Sequence, residues 1–538
     1  MRNAERIGFK EAFSIGVGGM IGGGIFAVLG LSIQLSKSAA PLAFLLAGVI
    51  ALLTAYSYAR LSVRYPSEGG TIEFLVRAFG NGWLSGGLNI LLLASYIVMI
   101  SLYAYAFGSY GANALNLINP SIGKHLLITF VITLFTAVNA LGAVISGETE
   151  DALVAFKLTI LLIVVGASMS FVQTEKLSPS EWADPISLIA GGMIIFLAYE
   201  GFELIANTGS DIRNPSILPR VFYSSVITVI FVYVMVAIVA VGTLPYDVIL
   251  KSRDYALAVA AEPALGKAGF WLITFAALAS TSSAINATLY GTARASYMVA
   301  KYGELPESIE KPVWKKAYEG LLVTSIFSLI LANTASLESI STAGSGGFLM
   351  IFLFVNLAAI RLRNELKINI SIPVSGVVLT SGALLVLVYS MSHTSIYNLG
   401  VFGGLIVSSF AGEGIYRKVT GREIKGVLDS KLRKREEYIR NWHRWIDTVV
   451  RHITDMIEDA EVYLVGSVAK GDILKANDVD ILVFTSNPPP RKELNVVKES
   501  LMKKAGLSPF HPIDIHFECR KAKNEALSKA KHYKPLRL

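Results

Sequence analysis

Lys157 is the one basic residue in the apolar stretch DALVAFKLTILLIVVGASMSFV at residues 151–172. At helical rise it lies ~9 Å in from Asp151, close enough for a four-carbon stem to reach back to an interface. The other reading keeps its ammonium in the protein interior, where a lysine stripped of water can bind and release a proton. Main-chain carbonyls of a neighbouring segment, or hydroxyls in the run Ser280 to Ser283, are groups able to accept a hydrogen bond from the ammonium.

Two further stretches carry chemistry within apolar surroundings. GVGGMIGGGIFAVLG, residues 16–30, holds Gly22, Gly23 and Gly24 in succession, each weakening a helix by ~1 kcal/mol relative to Ala. A helix that unwinds there exposes main-chain groups that a bound solute can satisfy. Close helix packing is the alternative, because Gly18 and Gly22 have the small-residue spacing that lets backbones approach. The second stretch, GGMIIFLAYEGFELIANTGSDI, puts Glu200 and Glu203 inside an otherwise apolar segment. Each acid should cost roughly 2.5–3.5 kcal/mol in lipid, so both are expected to face a wet or protein-lined interior. Glu200 is read as either a proton-handling or gating group, or a charge that satisfies a neighbouring backbone donor.

The C-terminal tail carries a different chemistry. EVYLVGSVAKGDILKANDVDILVF reads as two short strands, Val462 to Val465 and Val479 to Phe484, around a glycine-containing loop, and Ile513 to Phe517 as a third. Gly466 and Ser467 can offer main-chain NH groups and a hydroxyl to phosphate, with Lys470 as a nearby point charge. Asp478 and Asp480, two apart on a strand, share a face, and Asp514 on a neighbouring strand adds a third carboxylate. Such a cluster holds divalent metal, here expected to be Mg²⁺, that can clamp a nucleoside triphosphate for in-line displacement.

The elements that must position these groups follow from composition. With 538 residues, 53% hydrophobic and 16% charged, the chain is too apolar for an ordinary soluble protein. About twelve runs meet the ~20-residue criterion for a membrane-crossing helix. The glycine run falls in the first, Lys157 in the fifth, Glu200 and Glu203 in the sixth, and the serine run in the eighth. Basic residues concentrate in the loops on the side of the N-terminus, so both termini are expected in the cytoplasm of a multi-pass cell-membrane protein. The net charge of +8 therefore reports topology, and no nucleic-acid partner is expected. The first span is expected to stay in the protein and not be removed as a signal. Cys519 is the single cysteine, which excludes an internal disulfide and a cysteine metal cluster. Beyond about residue 416 hydropathy collapses into a basic linker over 417–435, suited to anionic membrane lipid, followed by an amphipathic helix and the tail domain at 436–538.

Over residues 1–416 the chain resembles the amino acid/polyamine/organocation superfamily of secondary transporters. GVGGMIGGGIF at 16–26 is similar to its first-span signature, and FLAYEGFE at 196–203 to its sixth-span break. The resemblance implies an α-helical membrane domain with a leucine-transporter-like inverted repeat of five plus five helices. It implies that the substrate carboxylate meets main-chain NH groups at the first break, and that its ammonium meets carbonyls of both breaks. Carried over, this implicates Ile21, Gly22, Gly23, Gly24, Phe196, Ala198, Tyr199 and Gly201, with Phe202 as a ring over the bound substrate. Lys157 resembles the lysine of proton-dependent members, with Gly18 and Ser282 or Ser283 as its neighbours. Gly23 departs from the serine common at that place.

The tail resembles the minimal nucleotidyltransferase domain of the polymerase-beta-like superfamily, a small α/β fold, through its GS loop, DxD and later carboxylate. Lys470 stands where arginine is common, and Asn477 where serine is common. The combined expectation is proton-coupled symport of amino acids or related amines by alternating access, with a cytoplasmic nucleotide-binding domain attached. An exchanger without proton coupling is one alternative. A membrane-anchored nucleotidyltransferase or sensor with a receptor-like membrane part is another.

Overall fold

A computed structural model describes residues 7–67, 69–115, 119–141, 147–209, 211–212, 214–301, 312–313, 317–420, 439, 441–471, 479–489, 513–530 and 532–536. The chain divides into two compact units, Met1–Glu423 and Ile424–Leu538. Among the described residues of the first, ten helices are long and apolar enough to cross a membrane. An eleventh span is the pair Phe9–Met20 and Gly24–Ser36, bent by 43° at the glycine run. A shorter apolar helix within Glu319–Thr334 takes the ninth position of the twelve expected, between Glu262–Lys301 and Leu337–Arg361.

The first span breaks where the glycines are. Helix Phe9–Met20 ends at Ile21, whose amide still donates to the Val17 carbonyl at 2.8 Å, and the helix resumes at Gly24. The sixth span breaks at the matching place. Pro185–Tyr199 stops before Glu200, which is extended, and a short turn Leu204–Asn207 follows. Asp184 starts this span by accepting from the Ile186 and Ser187 amides, as an N-cap should.

The two interruptions lie against one another, backbone to backbone. Gly201 adopts φ +119°, a conformation side chains rarely take, and a Cβ there would fall 2.4 Å from the Gly19 carbonyl carbon. Hydroxyls secure the surrounding spans. Ser32 Oγ donates to the Gly191 carbonyl at 2.8 Å, tying the second half of the first span to the sixth. Ser57 donates to Asn356 at 2.6 Å, and Asn356 donates to Thr54 at 3.1 Å, joining spans two and ten. Between apolar helices such bonds supply specificity that apolar contact alone does not.

In the second unit four strands form one sheet, β1 (Glu461–Val465), β2 (Val479–Thr485), β3 (Ile513–Cys519) and β4 (Tyr533–Leu536), in the order β3-β2-β1-β4. β2 and β3 run parallel, and the other neighbours are antiparallel. β4 adds a fourth strand to the three read from the sequence. The amphipathic helix Ile446–Met456 buries Ile446, Val449, Val450 and Ile453 in the same core as Leu464, Ile481 and Ile515. Asp459 accepts from Thr485 Oγ1 and the Ser486 amide, which holds its carboxyl down at about 2.

Substituting Gly201→Ala combines backbone strain with overlap on the Gly19 main chain. The variant should lose about 2–5 kcal/mol of stability, read as a lowered Tm of the detergent-solubilised protein.

Candidate functional site: two interrupted spans and a cavity beneath them

Four consecutive carbonyls at the first break, those of Gly18 to Ile21, have a donor close by. Lys157 Nζ, 2% exposed, donates to the Gly18 carbonyl at 3.1 Å. The Gly22 amide donates to Gly19 at 3.1 Å. Tyr233, fully buried in the seventh span, directs its hydroxyl at the Met20 carbonyl (2.6 Å) and at the Ala198 carbonyl of the sixth span (3.1 Å). Ser280 in the eighth span donates to the Ile21 carbonyl at 2.6 Å. The amides of Gly24, Ile25 and Phe26 precede the first bond of the resumed helix, in which Ala27 donates to Gly23. They are the donors that an anion would meet.

The residue at position 23 has a steric explanation. A Cβ on Gly23 would lie 2.5 Å from Tyr103 Cδ1 and 3.0 Å from Thr281 Cγ2, so the Tyr103 ring fills the space a serine side chain would need.

In the sixth-span break, Glu203 is fully buried and accepts the Gly201 amide on Oε2 at 2.7 Å. Glu200, 4% exposed, faces a cavity of about 240 Å³. Gly18, Gly19, Gly201 and Ser283 also line it, with Tyr96, Tyr103, Asn139, Asn207 and Asn286. Of the residues singled out from sequence, Gly18, Glu200, Gly201 and Ser283 thus meet at one cavity. Ile21, Gly22, Gly23, Gly24, Phe196, Ala198 and Tyr199 are buried around the break itself. Ser282 is half-buried. Phe202 stacks into an aromatic cluster, 5.1 Å from Phe352 and 5.5 Å from Tyr58, and is not among the residues lining the cavity. The sequence reading missed Tyr96 and Tyr103, although their seven-residue spacing places both on one face of the third span.

In the tail, register pairs Asp480 with Asp514 across β2 and β3. Donor atoms of Asp480, Asp514 and His516 all lie within 4.8 Å of one another, and His516 Nε2 is 3.1 Å from Asp514 Oδ2. His516 was not foreseen, though it follows Asp514 by two on the same strand. Asp478 lies outside the described residues. Gly466, at φ +76°, brings its backbone so near Asp480 that a Cβ would sit 2.5 Å from Oδ2. Ser467 and Lys470 continue in the short helix Gly466–Lys470 at the end of β1.

A family model described as amino acid permease matches residues 7–405, and one described as nucleotidyltransferase domain matches residues 446–535. The chain belongs to the amino acid permease family. This permease carries a nucleotidyltransferase domain at its C-terminus. It is 39% identical to an uncharacterized protein of Methanocaldococcus jannaschii, over 78% of the permease and 97% of that relative. It is 31% identical to the inner membrane transport protein YbaT of Escherichia coli, over 75% and 94% of the two chains. A branched-chain amino acid permease of Bacillus subtilis is 22% identical, over 67% and 81%. Its fold is similar to that of a manganese transporter from Eremococcus coleocola, with a TM-score of 0.54 at 14% identity, covering 78% of the permease and 94% of that structure. The permease is thus a multi-pass membrane protein.

The Tyr233 hydroxyl is the one side-chain group that touches carbonyls of both breaks among the described residues. Tyr233→Phe should leave Met20 and Ala198 short of a donor and lower stability by about 1–3 kcal/mol. Thermal unfolding against the unsubstituted permease measures it.

Proposed function

We propose that the membrane domain is a secondary active transporter of amino acids or related amines, coupled to protons through Lys157. The observation that carries the coupling is the buried Lys157 ammonium on the Gly18 carbonyl, at the end of the first half-span. While charged, the ammonium ties the fifth span to the helix Phe9–Met20 by a charge-assisted bond. Loss of its proton weakens that tie and frees the half-helix to move. The amides of Gly24, Ile25 and Phe26 then suit a substrate carboxylate, and carbonyls of the two breaks suit its ammonium. Rocking of one helix bundle against the other around these breaks would alternate access to the site. Family membership and the relatives' transport activities support the substrate class. The excess of basic residues in the loops on the side of the N-terminus supports a cytoplasmic position for both termini.

For the tail we infer Mg²⁺-dependent nucleotide binding, with transfer of a nucleotidyl group to an acceptor as its activity. The donor set fits a divalent ion: Asp480 and Asp514 supply hard oxygens and His516 an imidazole. When bound, the metal would clamp triphosphate oxygens for in-line displacement. The Gly466 turn, Ser467 and Lys470 would hold and orient those phosphates.

Proteoliposomes with an imposed pH gradient test the first reading. The unsubstituted protein should accumulate amino acids from a mixed panel, and Lys157→Ala should abolish accumulation; an alanine variant that still accumulates them sinks the coupling. For the tail, Asp480→Asn in the full chain should weaken Mg²⁺-dependent binding of labelled ATP at least tenfold. Unchanged binding would remove the proposed metal site.

A further inference from the structure

Glu200 and Glu203 place more acid in the sixth-span break than main-chain recognition of a zwitterion requires. Glu203 is fully buried; one oxygen accepts the Gly201 amide and the other, Oε1, has no hydrogen-bond partner. Glu200 interacts directly with Glu203 and forms part of the cavity wall. The groups around the two carboxyls are the phenols of Tyr58, Tyr96 and Tyr103, which supply no positive charge. No lysine or arginine lines the cavity among the described residues, and the Lys157 ammonium is engaged with the Gly18 carbonyl. With one proton shared between them the two carboxyl groups carry one negative charge, which a cation in the cavity would balance.

We propose that the cavity beside Glu200 takes the cationic side chain of a basic amino acid, so that the substrate itself completes the charge balance of the sixth-span break. The inference rests on the transport reading above, in which the α-carboxylate and α-ammonium meet main-chain groups and leave Glu200 for a second cation. The space agrees: about 240 Å³ is many times the ~10–15 Å³ that a single water requires, enough for an aliphatic stem ending in an ammonium. The polar lining agrees too. Asn207, Asn286 and Tyr96 offer oxygens to the remaining ammonium protons, while Leu92 and Ala287 flank an apolar stem.

Lysine and norleucine share a four-carbon side-chain stem and differ in the terminal ammonium, which makes them the probes. With the purified full chain in detergent, ligand-induced thermal shifts should report lysine binding at least tenfold tighter than norleucine. Glu200→Gln should bring that ratio close to one by weakening lysine, with norleucine affinity retained as the sign of an intact fold. Should that variant fail to fold, Glu203→Gln, which keeps an acceptor for the Gly201 amide, should lower the ratio in the same direction. Equal affinities in the unsubstituted protein, or a ratio that both variants leave unchanged, would overturn the proposal. Lysine-selective binding without uptake in proteoliposomes would leave it standing and sink the transport reading. Uptake of lysine and norleucine alike would do the reverse.

Discussion

A main chain that leaves helical conformation in a dry interior must find partners for its amides and carbonyls, and the membrane domain is arranged around that requirement. Two spans are interrupted, and the surrounding spans answer with hydroxyls and one ammonium: Tyr233 from the seventh, Ser280 from the eighth, Lys157 from the fifth. Each donor reaches a carbonyl of the first break, so spans distant in sequence are tied to a few consecutive residues. Unsatisfied, each buried group would cost about 1–3 kcal/mol.

Close approach of the two breaks is the second constraint. Gly19 and Gly201 meet main chain to main chain, and the Tyr103 ring packs against Gly23. Small residues at these contacts let two half-helices share one cavity, and the adjacent acids, Glu200 and Glu203, set its charge. The glycines pack closely, and by doing so keep the freed main-chain groups of both spans together.

The tail solves a different problem by strand register. Pairing of Val479 with Ile513 sets Asp480 opposite Asp514, and the alternation of the strand then puts His516 beside Asp514. The Gly466 turn brings its backbone close to Asp480 at the same end of the sheet. A one-residue slip in that pairing would turn the donor groups to opposite faces.

Much of this was legible in residue order. Hydropathy marked the spans, three adjacent glycines marked the first break, and the acids inside FLAYEGFE marked the sixth. Those features are local, because helix propensity and the cost of burying charge depend on residue type and neighbours. Tyr233, Tyr103, Asn286 and His516 were not legible as site residues, since a tyrosine on an apolar helix reads as core until the facing element is known. Phe202 packs against Tyr58 and Phe352, because spans two and ten bring their rings to it. The sequence by itself determined where the helices fail and which charges lie within apolar segments. Only the tertiary structure decided which side chains satisfy the broken backbone and which groups share a cavity, because those contacts join residues far apart in the chain.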